Sequence, residues 1–178
     1  MAILLSCDLK YFDEYATLLV RSAKANTAEK RVYISVVTEQ MEPWQLASER
    51  FFFAQKLDEP ELIIVDADSL FVGPPEFPAG GVGLYLRPEA PEKTKVAAGL
   101  VVIRDRGFLD ALCENLRRES GWFADQIALW KTYCGYGGDY FDVSPFLTWE
   151  FDEKPIWTGK GPRKRSKIFR SKMNEFGA

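Results

Sequence analysis

The chain has 178 residues, 47% of them hydrophobic, and a formal net charge of −3, which suits one folded domain and excludes a disordered or fibrous chain. It contains no histidine, so Ser-His-Asp and Cys-His nucleophilic arrangements and His-bound metals are excluded. Chemistry is left to carboxylates, amides, Lys, Arg or a metal held by oxygen.

Ala2 to Cys7 reads as a first strand, and Tyr11, Tyr15, Leu18, Leu19 and Ser22 give the next segment helical spacing. Arg31 to Val37 alternates as a second strand, and Pro43, suited to a first helical turn, opens a helix to about Leu57. Leu62 to Val65 is a third strand, apolar on both faces. Gly73-Pro74-Pro75 and Pro78-Ala79-Gly80-Gly81 mark an irregular loop before candidate strands Val82 to Leu86 and Val96 to Ile103. Gly107 to Arg118 and Asp125 to Tyr133 read as helices, Gly135-Tyr136-Gly137-Gly138 as a turn, and Tyr140 to Val143 and Thr148 to Phe151 as short strands. The alternating opening predicts an α/β fold: a mixed, mostly parallel sheet flanked by helices, in a single domain.

The third strand ends in Asp66-Ala67-Asp68. In extended backbone, residues i and i+2 point the same way, so both carboxylates can face one hard divalent cation and, through it, a diphosphate. Ligands in open α/β sheets gather beyond the carboxyl ends of such strands. The bland reading is a strand ending in a polar turn. A dinucleotide-binding loop is disfavoured, because Ser6-Cys7-Asp8-Leu9-Lys10 has no glycine to admit a pyrophosphate.

Charge is unevenly spread. Residues 160–178 hold seven basic side chains and one acid, against 16 basic and 25 acidic residues before them, so the body carries about −9 and the tail +6. Such a tail suits an anionic partner, either a phosphate in the body's own cleft or a nucleic acid, with a solvated tail as the plain alternative. Cys7, Cys113 and Cys134 lack any C-x-x-C spacing and read as buried free thiols. No apolar run approaches the ~20 residues of a membrane span, Ala2-Ile3-Leu4-Leu5 is too short for a signal peptide, and a cytoplasmic location is expected.

Several segments, in order, resemble the GT-A glycosyltransferases, in particular glycosyltransferase family 8. They are Ser6-Cys7-Asp8, Arg50 within Ser48-Glu49-Arg50-Phe51, Asp66-Ala67-Asp68, Ala98-Gly99-Leu100-Val101-Val102-Ile103, Asp125-Gln126 within Trp122 to Leu129, and Trp157-Thr158-Gly159-Lys160-Gly161. The resemblance implies a nucleotide-sugar-binding catalytic domain over 1–159, with the basic tail at 160–178 closing on the donor site. It implies a nucleotide diphosphate sugar as donor, with Mn²⁺ or Mg²⁺ held by Asp66 and Asp68. Ser6 and Asp8 would border the nucleobase and ribose, and Arg50 would contact the nucleotide or sugar. Gly159 and Lys160 would hold the diphosphate, with Arg163 or Lys164 behind. Asp125 and Gln126 would lie on the sugar side. The acceptor would be a hydroxyl of a glycan, a small molecule or a hydroxylated DNA base of a phage.

From the residues alone, Arg50 can equally form a surface helix salt bridge with Glu49, while Asp8 and Asp125 can be helix caps. Two departures stand out. The family's metal-binding His, three residues before the closing Gly, is replaced by Ile156, and its Asn-Ser-Gly strand reads Ala97-Ala98-Gly99. Asp152 is one candidate to substitute for the missing ligand. Two other readings are a haloacid dehalogenase-like phosphatase, with Asp66 as nucleophile and Asp68 as acid/base, and a degenerate GT-A domain binding nucleic acid through its tail.

Overall fold

The computed structural model describes residues 1–28 and 31–177. The chain opens with β1 (Ala2–Asp8), then α1 (Leu9–Tyr11), a π-helical turn (Phe12–Ala16) and α2 (Thr17–Asn26). β2 (Val32–Val37), α3 (Pro43–Gln55), β3 (Leu62–Val65), β4 (Ser69–Phe71), β5 (Val82–Leu86) and β6 (Val96–Ile103) follow. The chain continues through α4 (Arg106–Leu116), α5 (Ala124–Gly135), β7 (Tyr140–Asp142), β8 (Leu147–Thr148), β9 (Ile156–Thr158) and α6 (Lys167–Gly177).

Six strands form one sheet in the order β2-β1-β3-β6-β5-β7. β1 runs parallel to β2 and β3, and β5 parallel to β7, whereas β6 is antiparallel to both its neighbours. This is the mixed, mostly parallel α/β sheet expected. The unbroken apolar runs of β1, β3 and β6 follow from cover on both faces. On one face Leu4, Ile64 and Val101 pack with Phe51 of α3, Phe108 and Leu112 of α4, and Leu129 of α5. On the other, Ile3, Val65 and Leu100 pack with Leu19 of α2 and with Leu147 and Ile156.

Local chemistry explains the helix starts. Asp105 Oδ1 accepts from Gly107 N at 2.9 Å and Phe108 N at 3.2 Å, opening α4. Pro43 stands in the first turn of α3, where Glu42 N donates to Gln45 Oε1 at 3.0 Å. Among the described residues no helix is long and apolar enough to cross a membrane.

The structure departs from the sequence reading in places and adds to it. The strand expected at Thr148 to Phe151 is Leu147–Thr148, beyond which Glu150 N donates back to Thr148 Oγ1 at 3.0 Å and Phe151 adopts a left-handed φ of 59°. β4 and β9, too short to show alternation, pair antiparallel and with β8 make a second, three-stranded sheet. The basic segment from Lys160 is no solvated tail. It forms a 3₁₀ turn (Gly161–Arg165) and α6, whose Phe169 is fully buried among Tyr15, Leu70 and Phe151. Arg21 also donates to Phe176 O at 3.0 Å. Of the thiols, Cys7 and Cys113 are buried and pushed up to about 11, chiefly by that burial, but Cys134 is exposed.

Candidate active site

A cleft of about 530 Å³ opens beyond the carboxyl ends of β1 and β3, within the size range of small-molecule sites. Its floor comes from Ser6 and Asp8 at the end of β1, Asp66 and Asp68 after β3, and Ala98-Gly99 on β6. α3 supplies Arg50, α5 supplies Asp125 and Gln126, and the C-terminal segment supplies Lys160 and Lys164. The expected site residues thus converge, with Gly159 standing just behind the wall.

The two carboxylates reach the cleft by a turn rather than by strand alternation. Asp66 N donates to Gly99 O at 3.2 Å, and Ser69 N folds back to Asp66 O at 3.1 Å. Gly99 makes room for this: a Cβ there would lie 3.1 Å from Asp66 Oδ2. A larger residue at this position within β6 would press on the carboxylate.

Arg50 is not a surface residue paired with Glu49. It is 4% exposed, and its guanidinium spans two carboxylates, donating from Nη1 to Asp66 Oδ1 and from Nη2 to Asp125 Oδ2 at 3.1 Å. Asp125 is accordingly no N-cap. It sits inside the first turn of α5, with Oδ1 on Gln126 N at 2.8 Å. Burial alone would raise Asp66, but Arg50 and Lys160 outweigh it and hold that carboxyl below its ordinary range. Burial wins at Asp125, which is raised despite Arg50.

Asp68 has the weaker partners. Thr158 Oγ1 lies 3.4 Å from its Oδ1, and Lys164 Nζ 3.8 Å from its Oδ2. Burial first, and then the charge of Asp66, push it up to about 6. Pairing of β4 with β9 places Thr158 opposite Ser69, and Gly159 N donates to Asp68 O at 2.8 Å. Gly159 is a packing requirement, because a Cβ would lie 2.7 Å from both Lys164 Cβ and Phe169 Cε1. That closeness brings Lys164 over the rings of Tyr11 and Tyr15, at 4.6 and 5.5 Å, and onto the Tyr11 hydroxyl. Arg163 points elsewhere, to Glu150 Oε1 at 2.8 Å, so Lys164 is the cation behind Lys160.

Asp8 is a helix cap as well as a cleft residue, accepting from Tyr11 N at 2.7 Å. Ser6 Oγ donates to Ser35 O at 3.3 Å. At the α5 wall of the cleft, Arg87 Nη2 donates to Gln126 Oε1 at 2.7 Å. Because guanidinium only donates, this contact fixes which way the amide faces and leaves its NH₂ for a ligand. Arg87 carries no motif in the sequence; its one signal is its place at the end of β5. Trp44 and Trp122, also in the cleft wall, have no sequence signal beyond being aromatic.

The residues present fit a hard divalent cation with few protein ligands. Asp66 and Asp68 offer only oxygen, and the nearest cation to Asp68, Lys164 Nζ, stands off at 3.8 Å. No third carboxylate or thiolate completes a cluster among the described residues. Ile156 is fully buried in the core, and Asp152 lies outside the cleft wall with Oδ1 on Lys154 N at 3.2 Å. The substitute ligand suggested at Asp152 is therefore set aside, and remaining positions would fall to diphosphate and water.

No protein-family profile matches the chain, and no curated protein sequence matches it. Solved structures do. A glycosyltransferase involved in the glycosylation of the major capsid of PBCV-1 superposes with a TM-score of 0.68 at 12% identity, covering 99% of this chain and 98% of that one. The glycosyltransferase GlyE of Streptococcus pneumoniae TIGR4 superposes with a TM-score of 0.62 at 13% identity, over 98% of this chain and 59% of its own length. The chain therefore has the fold of these glycosyltransferases.

Proposed function

We propose that this cleft binds a nucleotide diphosphate sugar and transfers the sugar to an acceptor hydroxyl. One observation carries the reading: Arg50 joins Asp66 to Asp125 in a cleft at the carboxyl ends of β1 and β3 that Asp68, Lys160 and Lys164 also line. The fold shared with glycosyltransferases supports it, as does the order of motifs resembling family 8.

In the reaction, the bond between the anomeric carbon and the diphosphate oxygen breaks with its electron pair leaving on the diphosphate. The acceptor oxygen bonds to the anomeric carbon and gives up its proton to the departing diphosphate oxygen or, through it, to solvent. Mg²⁺ or Mn²⁺, held by Asp66 and Asp68, would stabilise the charge developing on the diphosphate. Lys160 and Lys164 bind the same phosphates from the C-terminal segment, giving those cations an internal use. Arg50 keeps Asp66 ionised and fixes Asp125 toward the sugar. Gln126, oriented by Arg87, presents its NH₂ to the donor sugar. Ser6 and Asp8 border the nucleoside. The acceptor hydroxyl belongs to a glycan, a small molecule or a hydroxylated DNA base.

The rival readings gain less from the geometry. The phosphatase reading draws no support from the superposed structures, both of which are glycosyltransferases. As a nucleic-acid-binding tail, the C-terminal segment would project from the body, yet it packs back on it through buried Phe169, with Lys160 and Lys164 lining the cleft. Thermal unfolding with a panel of nucleoside diphosphates and nucleotide sugars, each with and without Mn²⁺, tests the proposal. Ligand at ~100 times its dissociation constant adds about 2.7 kcal/mol, a rise of several degrees for one nucleotide class in the presence of Mn²⁺. No rise with any of them would overturn it.

A further inference from the structure

The cleft also carries apolar surface for which diphosphate chemistry has no use. The exposed large apolar side chains among the described residues are Leu9, Met41, Trp122 and Ile168, and both Met41 and Trp122 line this cleft together with half-buried Trp44. Single exposed apolar residues are ordinary; two on one cleft, with a second indole in the same wall, form a surface that a ligand can cover.

Trp122 is held out by construction. It is 69% exposed, yet it stands in a closed turn: Gly121 adopts a left-handed φ of 88°, and Ala124 N donates back to Gly121 O at 3.0 Å. The ring of the next residue, Phe123, is pinned beneath Lys93 Nζ, 5.2 Å from its centroid. This turn leads directly into the first turn of α5, so the indole is carried on the same short segment as Asp125 and Gln126, at the sugar end of the carboxylate row.

An indole face beside a carboxylate and an amide suits an uncharged pyranose ring. The C–H face of the sugar covers the indole, its hydroxyls donate to the carboxylate, and the amide NH₂ donates to a ring or hydroxyl oxygen. A polyanion fits this end of the cleft poorly, because exposed Glu39 and Glu42 flank Met41 and repel further negative charge.

We propose that Trp122, with Met41 and Trp44, forms the acceptor subsite, and that its occupant is a neutral pyranose unit of a carbohydrate rather than a nucleic-acid base. This rests on the donor reading above, which places the transferred sugar beside Asp125 and Gln126.

The test uses the full chain with Mn²⁺ and the nucleoside diphosphate panel. The protein is applied to an array of neutral pyranosyl oligosaccharides and, in parallel, to duplex DNA containing 5-hydroxymethylcytosine. The wild type is expected to be retained by neutral glycans and not by the DNA. Trp122→Ala weakens that retention about tenfold, the size of one lost aromatic stacking contact, while Trp122→Phe keeps most of it. The nucleotide-induced thermal shift stays the same in all three proteins. No glycan retention, undiminished retention by Trp122→Ala, or preferential retention by DNA overturns the acceptor assignment. If the nucleotide shift persists in that case, the acceptor assignment alone falls; if it is absent as well, the donor reading falls with it.

Discussion

Arg50 joins the buried Asp125 to the half-buried Asp66, so its removal should be the most damaging single change in the cleft. Arg50→Ala leaves Asp125 buried without its cation and takes from Asp66 its closest one. Removing one partner of a buried ion pair costs about 3 to 5 kcal/mol, because the charge left behind is neither hydrated nor paired. For a chain of 178 residues, at roughly 2 to 4 °C per kcal/mol, that is a fall in Tm of about 6 to 20 °C. The loss carries a pH signature. In the wild type, Arg50 helps to hold Asp66 below its ordinary range, so this stabilisation is present at neutral pH and fades as pH falls through the carboxylate range. In Arg50→Ala both carboxyls rise and accept protons, so the deficit is largest near pH 7 and shrinks toward pH 4. Urea unfolding of both proteins at several pH values reads this directly. Arg50→Lys, which keeps the charge but cannot span both partners, should fall between them. Equal stability at pH 7, or a deficit that does not change with pH, would refute the reasoning.

Asp68 behaves in the opposite sense. Its carboxyl is pushed up from 3.8 to about 6, so the folded protein binds the proton more tightly than the unfolded chain and loses stability as pH rises between those values. At about 1.4 kcal/mol per unit the loss is on the order of 3 kcal/mol. Asp68→Asn should flatten that part of the stability profile in metal-free buffer and be the more stable protein at pH 7; parallel profiles would contradict this. Gly159→Ala drives a methyl against Lys164 and Phe169, and unfolding in urea should show a cost of about 1 to 3 kcal/mol from overpacking. Arg87→Ala frees the Gln126 amide; steady-state kinetics should show kcat lower by roughly tenfold, the scale of one hydrogen bond to a charged group, with nucleotide affinity unchanged.

Much of this was legible in the chain itself. Continuous apolar runs located β1, β3 and β6, because strands covered on both faces cannot alternate. The D-x-D at the end of β3 located the cleft, although it is a turn after Val65, not strand alternation, that aims both carboxylates. What escaped depends on contacts distant in sequence. β4 and β9 have three residues each, too few for a period, and form because the chain returns beside Asp68 after more than 80 residues. α6 reads as a charged tail, because its apolar contacts, led by Phe169, are few beside its cations. Arg50 lies in an aromatic stretch of α3, where nothing local distinguishes a buried bridge from a surface pair. Arg87 and Trp122 acquire their roles only when β5 and α5 are brought to the same cleft.

The central claim is that Asp66 and Asp68 bind a donor diphosphate through a divalent cation. Calorimetric titration of the nucleoside diphosphate that gives the largest thermal shift, with and without Mn²⁺, into wild type, Asp66→Asn and Asp68→Asn tests it most directly. The account predicts saturable binding by the wild type that requires Mn²⁺, and its loss in both variants while they remain folded. Undiminished binding in both variants, or equal binding without Mn²⁺, would contradict it.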